Sequence, residues 1–184
     1  MAEGDRRVRI VCEDRLTERF LSKVCQHQKI GVLHVDVAPS GKGSASAWVR
    51  RRYPEFVKLH RSKNYQKNLC LLVAIDGDNQ GVSVRKLELA QELDRAEVEA
   101  RKPDELIAVF VPTWSIETWL ASLVDGAAHD ESRPLKEDSA VRYLWQDNAS
   151  TAQTISMAAN NWRDGPPLLP SLADAYTEGL RIDV

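Results

Sequence analysis

No stretch of this chain approaches the ~20 consecutive apolar residues that a membrane-spanning helix needs. Its opening residues, Met1-Ala2-Glu3-Gly4-Asp5-Arg6-Arg7, lack the apolar core of a secretion signal. Cysteine is scarce. Cys12, Cys25 and Cys70 are odd in number, with no C-x-x-C spacing and no flanking histidine cluster. Cys12 and Cys70 fall inside predicted buried strands and read as small core residues rather than ligands. His27, His34, His60 and His129 show no metal-ligand spacing, and no serine or cysteine has a general base near it in sequence. Gly41-Lys42-Gly43-Ser44 is not a phosphate-binding P-loop, because Asp36 stands where the first glycine of that motif belongs. There is no internal repeat and no low-complexity segment. The net charge of −2 excludes neither an acidic metal site nor a basic groove. These absences predict a protein of the reduced cytoplasm with no membrane segment.

What is present is ordinary in bulk and informative in arrangement. The 184 residues, 43% hydrophobic and 28% charged, suit one globular domain with a small appendage. Three apolar runs each end in acid. Val8-Arg9-Ile10-Val11-Cys12 runs into Glu13, and Leu69-Cys70-Leu71-Leu72-Val73-Ala74-Ile75 into Asp76-Gly77-Asp78. Ile107-Ala108-Val109-Phe110-Val111 continues through Pro112-Thr113-Trp114-Ser115-Ile116 to Glu117. Between them, apolar residues at helical spacing predict a helix over 15–28, capped by Asp14 and closed by Gly31, and another over 81–100. Residues 32–37 read as a strand, and residues 45–60 as two helical pieces interrupted at Pro54. A further helix starts near Ser115. Residues 133–147, 151–162 and 172–180 are candidate helices of a weaker C-terminal pattern. The alternation predicts an α/β fold, a mostly parallel Rossmann-like sheet with helices on both faces.

Neighbouring parallel strands would gather Glu13, Asp76, Asp78 and Glu117 at one sheet edge, where open α/β folds place their ligands. Four carboxylates there repel one another unless a cation sits among them. Asp76 and Asp78, two apart in an extended loop, can face the same way, and hard divalent cations take such oxygen ligands. Each acid alone also has a plain reading, as a turn residue or a helix N-terminal charge.

Cys12-Glu13-Asp14-Arg15-Leu16-Thr17-Glu18-Arg19-Phe20-Leu21 and Asp76-Gly77-Asp78 resemble the acidic signature of the Toprim fold of topoisomerases, primases and overcoming-lysogenisation-defect nucleases. With Ser115-Ile116-Glu117-Thr118-Trp119-Leu120 and Arg133-Pro134-Leu135-Lys136, the chain resembles most closely a family of small standalone Toprim-like proteins. The resemblance implies a Toprim-like core over 1–125 with a helical C-terminal extension over 126–184 packed on it. It implies Mg²⁺ or Mn²⁺ on Asp76 and Asp78, with Glu13 as general acid/base or metal ligand. Glu117 completes the cluster, and Lys136 is a phosphate contact. The implied activity is nucleic-acid phosphodiester hydrolysis, as the effector of an anti-phage defence pair with an ATPase. Asp14 departs from the family's glycine after the first Glu, and Asn79-Gln80 supplies no third acid. A non-catalytic binding or regulatory subunit with a vestigial acidic site is therefore the alternative.

From Lys42 to Lys67, Glu55 is the only acid among Lys42, Arg50, Arg51, Arg52, Lys58, Arg61, Lys63 and Lys67, with Trp48, Tyr53, Phe56 and Tyr65 interleaved. DNA or RNA would find phosphate partners and stacking surfaces there. The plain reading is a solvated helix with its aromatics turned inward. Lys42 lies near the substrate on the first reading. The acidic stretch 88–105 reads as an exposed helix face or a protein interface. Trp114, Trp119, Trp145 and Trp162 read as packing residues. Nucleic acid, an ATPase and a second copy of the chain are the candidate partners.

Overall fold

The computed structural model describes residues 6–41, 43–63, 65 and 68–184. Four strands, β1 (Arg7–Cys12), β2 (Gly31–Val37), β3 (Leu69–Ala74) and β4 (Ile107–Phe110), form one all-parallel sheet in the order β2-β1-β3-β4. Six α-helices among the described residues flank it: α1 (Arg15–His27), α2 (Ala45–Ser62), α3 (Gly81–Arg95), α4 (Ile116–Asp125), α5 (Asn148–Asn160) and α6 (Pro170–Gly179). This is the Rossmann-like α/β arrangement that the alternation predicts. No helix of the described residues is long and apolar enough to cross a membrane.

β3 is apolar throughout because it is covered twice. Its Cys70, Leu72 and Ala74 join a core with Phe20, Leu21 and Val24 of α1, Trp119 and Leu120 of α4, and residues of α5 and α6. Its Leu71 and Val73 join the opposite core with Val49, Tyr53, Phe56 and Val57 of α2 and Leu89 and Leu93 of α3. The C-terminal segment thus completes one helical layer: Ile155, Ala158, Trp162, Leu172 and Ala175 all belong to the larger core.

Local chemistry sets the element ends. Asp14 caps α1 by accepting from the Thr17 N–H at 2.8 Å. That helix closes on Lys29, whose φ of 58° is left-handed, with the Ile30 N–H donating to the Cys25 carbonyl; Gly31, expected to close it, instead opens β2. α3 stops at Arg95 rather than near residue 100, because Glu97 turns left-handed and the Val98 N–H donates to the Leu93 carbonyl, Val98 packing into the same core as Leu93. α2 is one helix, not two pieces. It runs through Pro54, which removes a backbone donor, because Val49 and Tyr53 before it and Phe56 and Val57 after it are buried on one face. The helix expected over 133–147 is absent except for a 3-10 turn at Arg142–Leu144; Asp138 accepts from the Ala140 N–H at 2.9 Å, satisfying the backbone in a turn instead.

The two sheet edges differ. Residues 31–34 of β2 are exposed, Leu33 by 48%, and a register irregularity opposite Val8/Arg9 kinks this rim. The β4 rim is sealed: its Val109 N–H donates to the Glu178 carboxylate at 3.0 Å and its Ile107 carbonyl accepts from Arg101 at 2.9 Å. Glu178, 7% exposed, also pairs with Arg101 and with Lys86.

Candidate active site

β1 and β3 are neighbours, but the chain leaves β1 toward β2 and leaves β3 toward β4. α1 and α3 lie against opposite faces of the sheet. The sheet therefore has its topological switch point between β1 and β3, where a crevice opens beyond the strand ends. Glu13 follows β1 and Asp76 follows β3. The Glu13 Oε1 accepts from the Asp76 N–H at 2.8 Å, so the two acidic loops meet there.

The third loop is stitched to the second. The Gly77 N–H donates to the Pro112 carbonyl at 2.8 Å, and Asp78 and Trp114 exchange backbone hydrogen bonds, each 3.2 Å. A Cβ on Gly77 would lie 3.0 Å from the Pro112 oxygen and 3.3 Å from the Thr113 Cα, so only glycine lets the loops come this close. Both partners in the reciprocal pair are left-handed, Asp78 at φ 46° and Trp114 at φ 63°. Backbone strain of this kind collects at functional sites. The third loop ends in the first turn of α4, which carries Glu117, 6% exposed. No hydrogen bond or ion pair engages the Glu117 carboxylate among the described residues.

The electrostatics follow from burial and crowding. Burial pushes the Asp76 carboxyl up to about 9, with the charges of Glu13, Asp14, Glu117 and Asp78 adding to it. Glu13 rises to about 7, through burial first and then the nearby Asp78, against the bond from the Asp76 N–H. The pair therefore holds protons near neutrality that isolated carboxyls would have lost. Asp78 is placed differently. Its side chain is 52% exposed and pairs with Arg85, a guanidinium only 4% exposed. Arg85 also donates to the Asp76 carbonyl at 2.8 Å and to Glu88 at 2.7 Å, and Glu88 in turn meets Arg50 at 3.0 Å.

Among the described residues, no three His, Cys, Asp or Glu side chains converge closely enough to hold a metal ion as they stand. The donor chemistry of Glu13, Asp76 and Glu117 nonetheless fits a hard divalent cation: oxygen ligands, half-buried at Glu13 and Asp76 and buried at Glu117, the last without a cationic partner among the described residues. Asp78 fits only if it exchanges Arg85 for the ion. Sequence reasoning missed Arg85, although its spacing with Leu89 and Leu93 places it on the inward face of α3.

The basic segment is largely committed within the molecule. Arg61 pairs with Glu105 at 2.6 Å and donates to the carbonyls of Glu99 and Ala100. Arg50 meets Glu88, and Lys58 reaches the Ala96 carbonyl at 3.4 Å. Arg52 pairs with Glu55 at 3.0 Å and lies over the rings of Trp48 and Phe56. Arg51 is exposed, and Lys63 lines a small cavity with Arg9 and His60. The acidic stretch is thus an internal partner for α2. Lys42 lies outside the described residues. Lys136 is exposed and far along the chain from the acidic loops, its carbonyl accepting from the Trp145 indole at 3.1 Å. Comparison with known proteins finds no matching family model, no matching curated protein and no matching solved structure.

Proposed function

We propose that the chain is a Mg²⁺- or Mn²⁺-dependent nuclease of Toprim type that hydrolyses nucleic-acid phosphodiesters. The observation that carries this reading is the meeting of Glu13 and Asp76 at the switch point of the sheet, with Glu117, buried and without a hydrogen-bond or ion-pair partner among the described residues, in the first turn of α4 after the adjoining loop. Asp76 and Glu117 would hold the cation, with Asp78 joining on release from Arg85, and Glu13 would serve either as a further ligand or, where it is not one, as the general base. The ion supplies charge neutralisation for the phosphoryl oxygens and acidifies water. The chain supplies the proton acceptor. Glu13 Oε1 is fixed by the Asp76 N–H, and a carboxyl lifted to about 7 is poised to take a proton from the attacking water at neutral pH. The substrate strand would run past Lys63 and exposed Arg51; Arg50, Arg52, Lys58 and Arg61 would join as phosphate contacts only by exchanging their internal partners. An ATPase partner and a role in anti-phage defence belong to the same reading, as does assembly with a second copy.

Plasmid DNA, single strands and transfer RNA incubated with Mn²⁺ provide the test. Glu13→Ala and Asp76→Ala should each lower cleavage by about 10²-fold or more. Undiminished activity in either variant refutes the assigned roles. A second reading, a non-catalytic regulatory subunit, is favoured by one observation: Arg85 already neutralises Asp78. Calorimetric titration with Mn²⁺ separates the two, since a vestigial site shows no carboxylate-dependent heat.

A further inference from the structure

Five tryptophans occur in the chain, and four have evident structural partners. Trp119 and Trp162 are buried in the larger core, where they pack on each other and on Phe110. Trp48 packs on Phe56 and under Arg52, and the Trp145 indole donates to the Lys136 carbonyl. Trp114 is different. It belongs to no core cluster, it is partly exposed, and its indole has no ring, cation or hydrogen-bond partner among the described residues.

Its backbone makes the exception sharper. At φ 63° Trp114 sits in a conformation that glycine or asparagine adopts readily and a bulky aromatic resists. The strain is held by the reciprocal hydrogen bonds with Asp78, so the ring is carried on the loop that adjoins the acidic crevice, three positions before Glu117. An aromatic side chain, partly exposed and mounted on a hydrogen-bonded loop beside the acidic crevice, can present a ring face to an unpaired base; every base offers a π-face to such a platform.

We propose that Trp114 stacks on a nucleobase of a single-stranded or locally unpaired substrate and holds that strand across the acidic crevice. This rests on the nuclease reading above and narrows its substrate to strands whose bases are accessible. Stacked bases inside an intact duplex are not available to the indole, so the contact discriminates single strands from duplex.

The test measures binding, not cleavage. Fluorescence anisotropy of a short labelled DNA or RNA strand is followed in EDTA, for the wild type and for Trp114→Phe, Trp114→Leu and Trp114→Asn. Removing a base-stacking aromatic is expected to weaken single-strand binding about 5- to 150-fold. Trp114→Leu and Trp114→Asn should both show that loss, Trp114→Phe should stay close to wild type, and duplex binding should change little. A strand with abasic sugars in place of nucleosides should bind the wild type as weakly as the normal strand binds Trp114→Leu. Asparagine tolerates the left-handed backbone, so Trp114→Asn should melt at or above the wild-type temperature, which separates lost stacking from lost folding. Unchanged single-strand affinity in Trp114→Asn, an equal loss in Trp114→Phe, or an equal loss for duplex overturns the proposal. Mn²⁺-dependent cleavage that persists alongside such a result would leave the nuclease reading standing. Stacking without carboxylate-dependent cleavage would overturn the nuclease reading alone.

Discussion

Replacing Asp76 by asparagine should stabilise the fold at neutral pH while abolishing the chemistry assigned to the site. In the folded chain burial, and then the crowding of Glu13, Asp14, Glu117 and Asp78, pushes the Asp76 carboxyl up to about 9 from its ordinary 3.8. Between those values the native state keeps a proton that the unfolded chain gives up, so stability falls as pH rises. Each pH unit over that interval costs about 1.4 kcal/mol, and the climb from about pH 4 to about pH 7 amounts to roughly 4 kcal/mol for this group alone. Water entering the crevice lowers the figure, and on the order of 2–4 kcal/mol is expected for Asp76→Asn at about pH 7. For a chain of this length that is a rise in melting temperature of roughly 4–16 °C. Below about pH 3 the advantage should vanish, because Asp76 is then protonated in both states. Thermal melts of the two proteins across this range measure the effect directly. Mn²⁺ should raise the wild-type melting temperature toward that of the variant and release protons as it binds, detectable by calorimetry in buffers of different ionisation enthalpy. A variant no more stable than wild type at neutral pH, or one whose advantage does not shrink in acid, would refute the crowded-carboxylate account.

Gly77→Ala should lower the melting temperature, because its Cβ would press on the backbone of Pro112 and Thr113 at 3.0 and 3.3 Å. The expected cost is about 1–3 kcal/mol, and a melt indistinguishable from wild type would show that the loops are not in close contact. Glu178→Gln should act at the other end of the fold. Burial alone would raise this carboxyl, but Arg101, the Val109 N–H and Lys86 together hold it at about 2, so its contribution is present above 4.5 and is lost as pH falls through about 2. Urea unfolding near neutral pH should show a loss of roughly 3 kcal/mol, shrinking in acid; an equal deficit at all pH values would contradict the ion-pair account.

The strand–helix alternation, the double-sided burial of β3 and the Asp14 cap were legible in the sequence, because each rests on local chemistry or a short apolar period. The convergence of Glu13 and Asp76 was legible as well, given parallel neighbouring strands. Other features depended on partners distant in sequence. Arg85 reads as one more helix cation until its carbonyl partner Asp76 and its acid Asp78 are in place. Pro54 signals a break, and only the buried residues on either side show why the helix continues. The basic run looked available to a polyanion, while Glu88 and Glu105, more than thirty residues away, engage Arg50 and Arg61.

The unequal rims of the sheet set a limit on how copies of this chain can join by adding strand to strand. On the β4 rim the Val109 N–H and the Ile107 carbonyl are engaged by Glu178 and Arg101, whereas residues 31–34 of β2 are exposed. A body with a single sticky side terminates after one union and forms a closed pair; one with two such sides propagates into fibres. A strand-to-strand union of two copies is therefore expected at β2, and Glu178→Ala should open a second rim to such pairing.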